Sequence, residues 1–191
     1  MQRFQLDDAR EWSGRRPGMS IDASLVMIRI GLISDTHGLL RSEAMDVLRG
    51  SDFIVHAGDV GEGVLEPLST IAPVTAVRGN NDRAPWAERI AETELLRFGE
   101  VTLHVLHDLN DLAIDPKAAG VDVVVTGHSH RPKIERRSGA LYINPGSAGP
   151  VRFNLPISVA LMQISGKEVS ARIVELESLR AAPHATKAVH S

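Results

Sequence analysis

Asp35-Thr36-His37 sets a carboxylate and an imidazole two residues apart, directly after the apolar run Ile28 to Ile33. At a strand end, side chains two apart point into the same crevice. Alone, the pair reads equally well as a turn held by an Asx hydrogen bond. Comparable clusters, however, end four more apolar runs: Gly58-Asp59 after 53–56, Gly79-Asn80-Asn81-Asp82 after 74–77, His107 after 101–106, and Gly127-His128-Ser129-His130 after 121–126. Sites in open α/β sheets form outside the carboxyl ends of strands. These clusters are therefore expected to converge, and their chemistry is that of a metal centre.

The collected donors are Asp35, His37, Asp59, Asn80, His107, His128 and His130. Two ions about 3.5–4 Å apart need a bridging ligand and several terminal ones. Carboxylates bridge well, and Asp59 has partners on either side of it along the chain. With no cysteine in the sequence, thiolate zinc sites, iron–sulfur clusters and disulfides are excluded. The nitrogen and oxygen donors suit manganese, iron, zinc or nickel. Gly58, Gly79 and Gly127 each precede a candidate ligand, where the chain must turn sharply.

The elements that would position these residues alternate. Leu40, Ala44 and Leu48 recur as one helical face, and Val64, Leu68, Ile71 and Ala72 form a second one that Pro73 ends. Strand, helix, strand, helix, strand implies parallel strands with right-handed crossovers. Residues 94–98 and 101–106 flank Gly99-Glu100 as a hairpin, and Asp115-Pro116 is a good helix start. Beyond His130, hairpins over 133–144 and 157–175 signal a second sheet.

At 191 residues the chain fits one domain. A net charge of −3 gives no strong nucleic-acid signature, and no apolar run approaches the ~20 residues of a membrane span. A cytoplasmic location is expected. Residues 1–27 read as a flexible extension with Met27 as a natural start, the alternative being an ordered arm. Arg15-Arg16 lacks the apolar stretch of an export signal. The domain covers 28–176, and 177–191 read as a flexible tail.

Asp-x-His, Gly-Asp, Gly-Asn, His and Gly-His-x-His, in that order, resemble the calcineurin-like metallophosphoesterases. With Asn144-Pro145-Gly146-Ser147, the short chain is similar to their small single-domain phosphodiesterase branch. The resemblance covers about residues 28–175. It implies a four-layer α/β/β/α sandwich of two stacked mixed sheets flanked by helices. It also implies two divalent ions, manganese first, with iron, zinc or nickel as alternatives. One ion would be held by Asp35, His37, Asp59 and His130, the other by Asp59, Asn80, His107 and His128. A metal-activated hydroxide would then hydrolyse a phosphodiester in a small phosphorylated substrate. Phosphomonoester or phosphoprotein hydrolysis, a non-catalytic scaffold and a homo-oligomer stay open. Two positions depart from the family pattern. Asn81 stands where many relatives have a histidine that contacts phosphate or acts as the acid. Asp108 stands where glycine is common, which bears on how His107 is placed.

Other polar residues have plainer readings. His56 is expected to pack in its strand or support a ligand. His104, three residues before His107, faces the opposite side of a regular strand and is the alternative ligand if the register slips. Asp82 would orient a ligating histidine or pair with an arginine. The Asn-Pro-Gly-Ser turn is expected to border the site. His184 and His190 read as solvated.

Overall fold

Period-two alternation sets the faces of both sheets. In β2 (Met27–Ile33) and β3 (Phe53–Ala57), Ile30, Leu32, Phe53, Val55 and Ala57 turn to one side, while Ile33 and Ile54 turn to the other. The computed structural model describes residues 10–12, 27–152 and 154–176. Helix α1 (Ser42–Leu48) and helix α2 (Leu65–Ser69) connect β2, β3 and β4 (Val74–Val77), which pair in parallel as expected. Two hairpins follow: β5 (Thr93–Phe98) with β6 (Val101–Leu106), and, after β7 (Val123–Val125), β8 (Lys133–Arg137) with β9 (Ala140–Asn144). A last antiparallel pair is β10 (Ser158–Ser165) with β11 (Glu168–Glu175).

The hairpins beyond His130 do not make a sheet of their own. β8 and β9 join β5, β6 and β7, whereas β10 and β11 extend the first sheet in the order β11-β10-β2-β3-β4. The reason is burial on both faces. In β10, Ala160, Met162 and Ile164 enter the core between the sheets, while Val159 packs with the helices. Such a strand belongs inside a sheet, and it pairs antiparallel to β2. β11 alternates exposed and half-buried residues and takes the edge.

The two mixed sheets stack over an apolar core that includes Leu96, Leu103, Val105, Val123, Val125, Leu141 and Ile143. Phe53 and Phe98 meet across it edge to face, with centroids 5.2 Å apart. The α/β sandwich is thus as the resemblance implies. α1 and α2 cover the outer face of the five-stranded sheet through Ala44, Leu48 and Leu68, with Val64 just ahead of α2. The other outer face is covered by a turn-rich segment that brings Leu112, Ile114 and Ala119 against Leu106, Val124 and Tyr142. Asp115 does cap a turn there, its Oδ1 accepting from Ala118 N at 3.2 Å. No helix develops, because Gly120, at φ +68°, ends that turn at once.

Three residues of the expected N-terminal extension belong to the sheet. β1 (Arg10–Trp12) pairs in parallel with β5 at the edge of the six-stranded sheet, in the order β1-β5-β6-β7-β9-β8. The remainder of 1–26 and the expected tail with His184 and His190 lie outside the described residues. Among the described residues, no helix is long and apolar enough to cross a membrane.

Candidate metal centre

The carboxyl ends of β2, β3, β4, β6 and β7 lead into one cluster of loops. After β2 the chain keeps a ladder with the loop after β3: Asp35 N donates to Gly58 O (3.0 Å), His37 N to Asp59 O (2.9 Å) and Gly38 N to Val60 O (2.9 Å). The second sheet closes on these loops through His107, whose Nδ1–H donates to Ala57 O at 2.8 Å. That bond leaves Nε2 turned toward the carboxylates, 3.4 Å from Asp59 Oδ2 and 4.0 Å from Asp35 Oδ1.

Two groups of donor atoms result, each within 4.8 Å: Asp35, His37 and His130, and Asp35, Asp59 and His107. His130 Nε2 lies 3.3 Å from Asp35 Oδ1, and His37 Nε2 lies 3.8 Å from Asp59 Oδ2. At the rim, His128 Nδ1 faces Asn80 Oδ1 at 3.1 Å, and its ring stands edge-on to His107 at 5.3 Å. All seven expected donors are thereby gathered. His104 stays out: it is buried on β6 on the face opposite Leu103 and Val105.

The backbone is strained where the donors sit. Asp35, His37, Asp59, His128 and His130 all have φ between +48° and +64°. Each such residue costs on the order of 1–3 kcal/mol, a cost concentrated on residues that chemistry, not packing, would require. Gly79 shows how tight the loops are. A Cβ there would stand 2.2 Å from both Asp59 N and Asp59 Oδ1. Gly79→Ala is expected to destabilise by ~1–3 kcal/mol through overpacking, lowering Tm by several degrees in a thermal melt. An unchanged Tm would mean that the Asp59 loop yields freely.

The electrostatics suit a cation. Burial pushes the Asp59 carboxyl up, but His107 and the two Asn81 donors outweigh it and hold the group well below the usual carboxylate range. Burial pushes His107 down, yet Asp59, the Ala57 carbonyl and Asp35 raise it above its ordinary value. Buried carboxylates that raise a histidine in this way would equally attract a metal ion. His37 is lowered, chiefly by burial and with help from Arg152 against the pull of Asp59, which favours the neutral ring a metal needs. The donor set also passes a stricter test: among the described residues, Asp35 Oδ2, His37 Nε2 and His107 Nε2 are buried without a hydrogen-bond partner. Polar atoms in that condition are costly, and a divalent cation is the group these three atoms fit.

Supporting residues were only partly legible. Among the described residues, Asp82 makes no hydrogen bond to a histidine and no ion pair with an arginine. Its carboxylate accepts from the backbone N–H groups of Gly79, Val60 and Gly61 at 2.9–3.0 Å, tying two ligand loops together. The Asn144–Ser147 turn borders the site, as expected. Asn144 Nδ2 donates to Gly127 O (2.6 Å), and Ser147 Oγ donates to Asp35 O (3.0 Å). Asp108 keeps an ordinary extended backbone and leaves His107 in place, and its Oδ2 lies 3.5 Å from His128 Nε2. The Ala57 carbonyl and Arg152 carry no signal in the sequence, since only the packing of distant loops brings them here.

His56 is a supporting residue with a measurable consequence. Thr36 Oγ1 donates to Val60 O (2.6 Å), so His56 Nε2, 2.8 Å away, must donate to Thr36. Nε2 thus carries a proton, and full burial lowers the pKa to about 4, which leaves the ring neutral near pH 7. The unfolded chain takes up this proton below about pH 6.5, whereas the folded chain waits until about pH 4. The histidine therefore costs nothing above pH 6.5 and up to about 3 kcal/mol as pH falls through that window. Urea melts of metal-free protein should show stability falling from pH 6.5 to 4, with a shallower slope in His56→Gln. Equal slopes would refute the assignment.

Residues 28–167 match the model of the calcineurin-like phosphoesterase superfamily domain. A probable metallophosphoesterase of Methanothermobacter thermautotrophicus is 34% identical over 157 residues, covering 76% of this chain and 91% of that one. A phosphodiesterase of Escherichia coli is 29% identical over 167 residues, covering 71% and 88%. Vacuolar protein sorting 29 from Cryptosporidium parvum shares the fold with a TM-score of 0.64 at 22% identity, over 78% of this chain and 97% of that one. With family model, fold and metal-competent donors in agreement, the chain belongs to the calcineurin-like phosphoesterase superfamily, whose metal-dependent phosphoester chemistry its site is built to serve.

Proposed function

We infer that the chain is a binuclear phosphodiesterase. The observation that carries this reading is the convergence of three buried atoms without a hydrogen-bond partner among the described residues, Asp35 Oδ2, His37 Nε2 and His107 Nε2, on the two donor groups that share Asp35. Asp35, His37, Asp59 and His130 would hold one ion, and Asp59, Asn80, His107 and His128 the other. Divalent ions, when bound, supply Lewis acidity to phosphoryl oxygens and lower the pKa of coordinated water. The chain's own residues do the rest. Neutral His37 and ionised Asp59 are ready as ligands without a proton first leaving. Ala57 O fixes the His107 ring, and Asp82 keeps the Asp59 loop against the Asn80 loop. Asn81, with its amide at the rim, can donate a hydrogen bond to substrate but cannot give up a proton. The diester preference is supported by that residue and by the name of the Escherichia coli relative. A small phosphorylated substrate, manganese as the working metal and a cytoplasmic location complete the reading.

The test is reconstitution of metal-free full-length protein with manganese, iron, zinc or nickel. Bound metal would be counted, and hydrolysis of bis(p-nitrophenyl) phosphate compared with that of p-nitrophenyl phosphate. Two equivalents and faster diester cleavage are expected. One equivalent would overturn the binuclear reading, and faster monoester cleavage the diester preference. No turnover with any metal would turn the reading to a scaffold.

A further inference from the structure

A histidine that ligates a metal must keep a lone pair on the nitrogen facing the ion, so its single neutral-state proton must sit on the other nitrogen. His107 meets this condition through the Ala57 carbonyl. Among the described residues, His128 has no such backbone partner on its outward nitrogen. Its Nδ1 faces Asn80 Oδ1 at 3.1 Å. Left to that contact alone, the ring would put its proton on Nδ1 and donate it to the amide oxygen, using up two donor atoms of the same ion site. The outward nitrogen, Nε2, lies 3.5 Å from Asp108 Oδ2. The other oxygen of that carboxylate, Oδ1, accepts from Asn110 N (2.9 Å) and Asn110 Nδ2 (3.0 Å). Asp108 is thus anchored by one oxygen, and the second is the carboxylate oxygen 3.5 Å from the ring's Nε2. A carboxylate is a stronger acceptor than an amide carbonyl, so Asp108 competes with Asn80 for the ring's single proton. The side chains of His128 and Asp108 are 44% and 25% exposed, and so open an ion pair adds little to folding. Its consequence lies in orientation.

We propose that Asp108 is a positioning residue: it holds His128 as the Nε2–H tautomer, so that Nδ1 and Asn80 Oδ1 can bind the second ion together. This rests on the binuclear reading above. It also gives a role to the one acidic side chain that stands where the family commonly has glycine.

Long-range proton–nitrogen spectra of metal-free full-length protein near pH 8.5 read the tautomer directly. Wild type is expected to show His128 protonated on Nε2, with the proton moving toward Nδ1 in Asp108→Gly and Asp108→Asn. Titration with Co(II), followed by visible absorption, then reads the affinities. In both variants the second equivalent should bind ~10–100-fold more weakly, with the first unchanged, and Asp108→Glu should recover part of the loss. Asparagine caps the 109–111 turn as well as aspartate does, so Asp108→Asn removes the charge while leaving Tm alone. An Nδ1–H ring in wild type would overturn the proposal. So would wild-type Co(II) affinity in Asp108→Asn with a loss confined to Asp108→Gly, which would mark Asp108 as a turn cap only. If wild type binds a single Co(II), the binuclear reading fails, and the tautomer spectra still judge Asp108 on its own.

Discussion

Asp59→Ala is expected to strip the centre of both ions and to lower turnover by more than ~100-fold, beyond the ~10–100-fold that losing a mere orienting partner costs. Asp59 Oδ2 lies 3.4 Å from His107 Nε2 and 3.8 Å from His37 Nε2. A single oxygen is therefore within reach of one histidine from each expected ion site. Asp35 is the rival bridge, because it belongs to both donor groups. Metal counting separates the two. If Asp59 bridges, Asp59→Ala loses both equivalents, while Asn80→Ala loses only the ion on the His107 side. Two retained equivalents in Asp59→Ala, in protein whose circular dichroism matches wild type, would assign the bridge to Asp35.

Leaving-group chemistry gives the second large effect. A departing alkoxide needs a proton or a cation as its bond breaks, and general acid catalysis is typically worth ~10²–10⁴-fold. Histidine can supply that proton near neutral pH, whereas asparagine cannot. Asn81 is moreover engaged already, donating through N and Nδ2 to Asp59 Oδ1 and Oδ2 at 2.8 and 2.6 Å. Aryl diesters should therefore be cleaved efficiently and alkyl monoesters slowly, and the rate should fall steeply as leaving-group pKa rises. Asn81→His is expected to raise alkyl rates more than aryl rates, narrowing the gap by at least ~10-fold. A leaving-group series at fixed metal, for both proteins, is the measurement. A flat series in wild type, with chemistry rate-limiting, would mean that the acid comes from elsewhere. Asn81 would then lose its place as the determinant of specificity.

Read alone, the amino-acid sequence already carried the candidate donors and the frame that brings them together. Asp35, His37, Asp59, Asn80, His107, His128 and His130 were legible because each follows an apolar run, and a strand end in a parallel α/β unit fixes where the next side chains go. The β2, β3 and β4 pairing was legible for the same local reason: helical and strand periods alternate along that stretch. Tertiary structure decided what depends on contacts between segments far apart in the chain. The split of the last hairpins between two sheets followed from burial of both faces of β10, which no local period reveals. The one-turn end of the Asp115 segment came from a glycine at positive φ. The left-handed backbone of five donors occurs where loops from both sheets meet, His128 N donating to Asp35 Oδ1 at 3.3 Å. Asp82 accepts three backbone N–H groups rather than the partners its charge suggests, because the loops after β3 and β4 close around it. Composition and spacing can name the atoms that would hold a metal. Which neighbour fixes each ring, and which carboxylate is shared, is set by loop packing, where polar groups cut off from water take whatever partners the meeting of the two sheets provides.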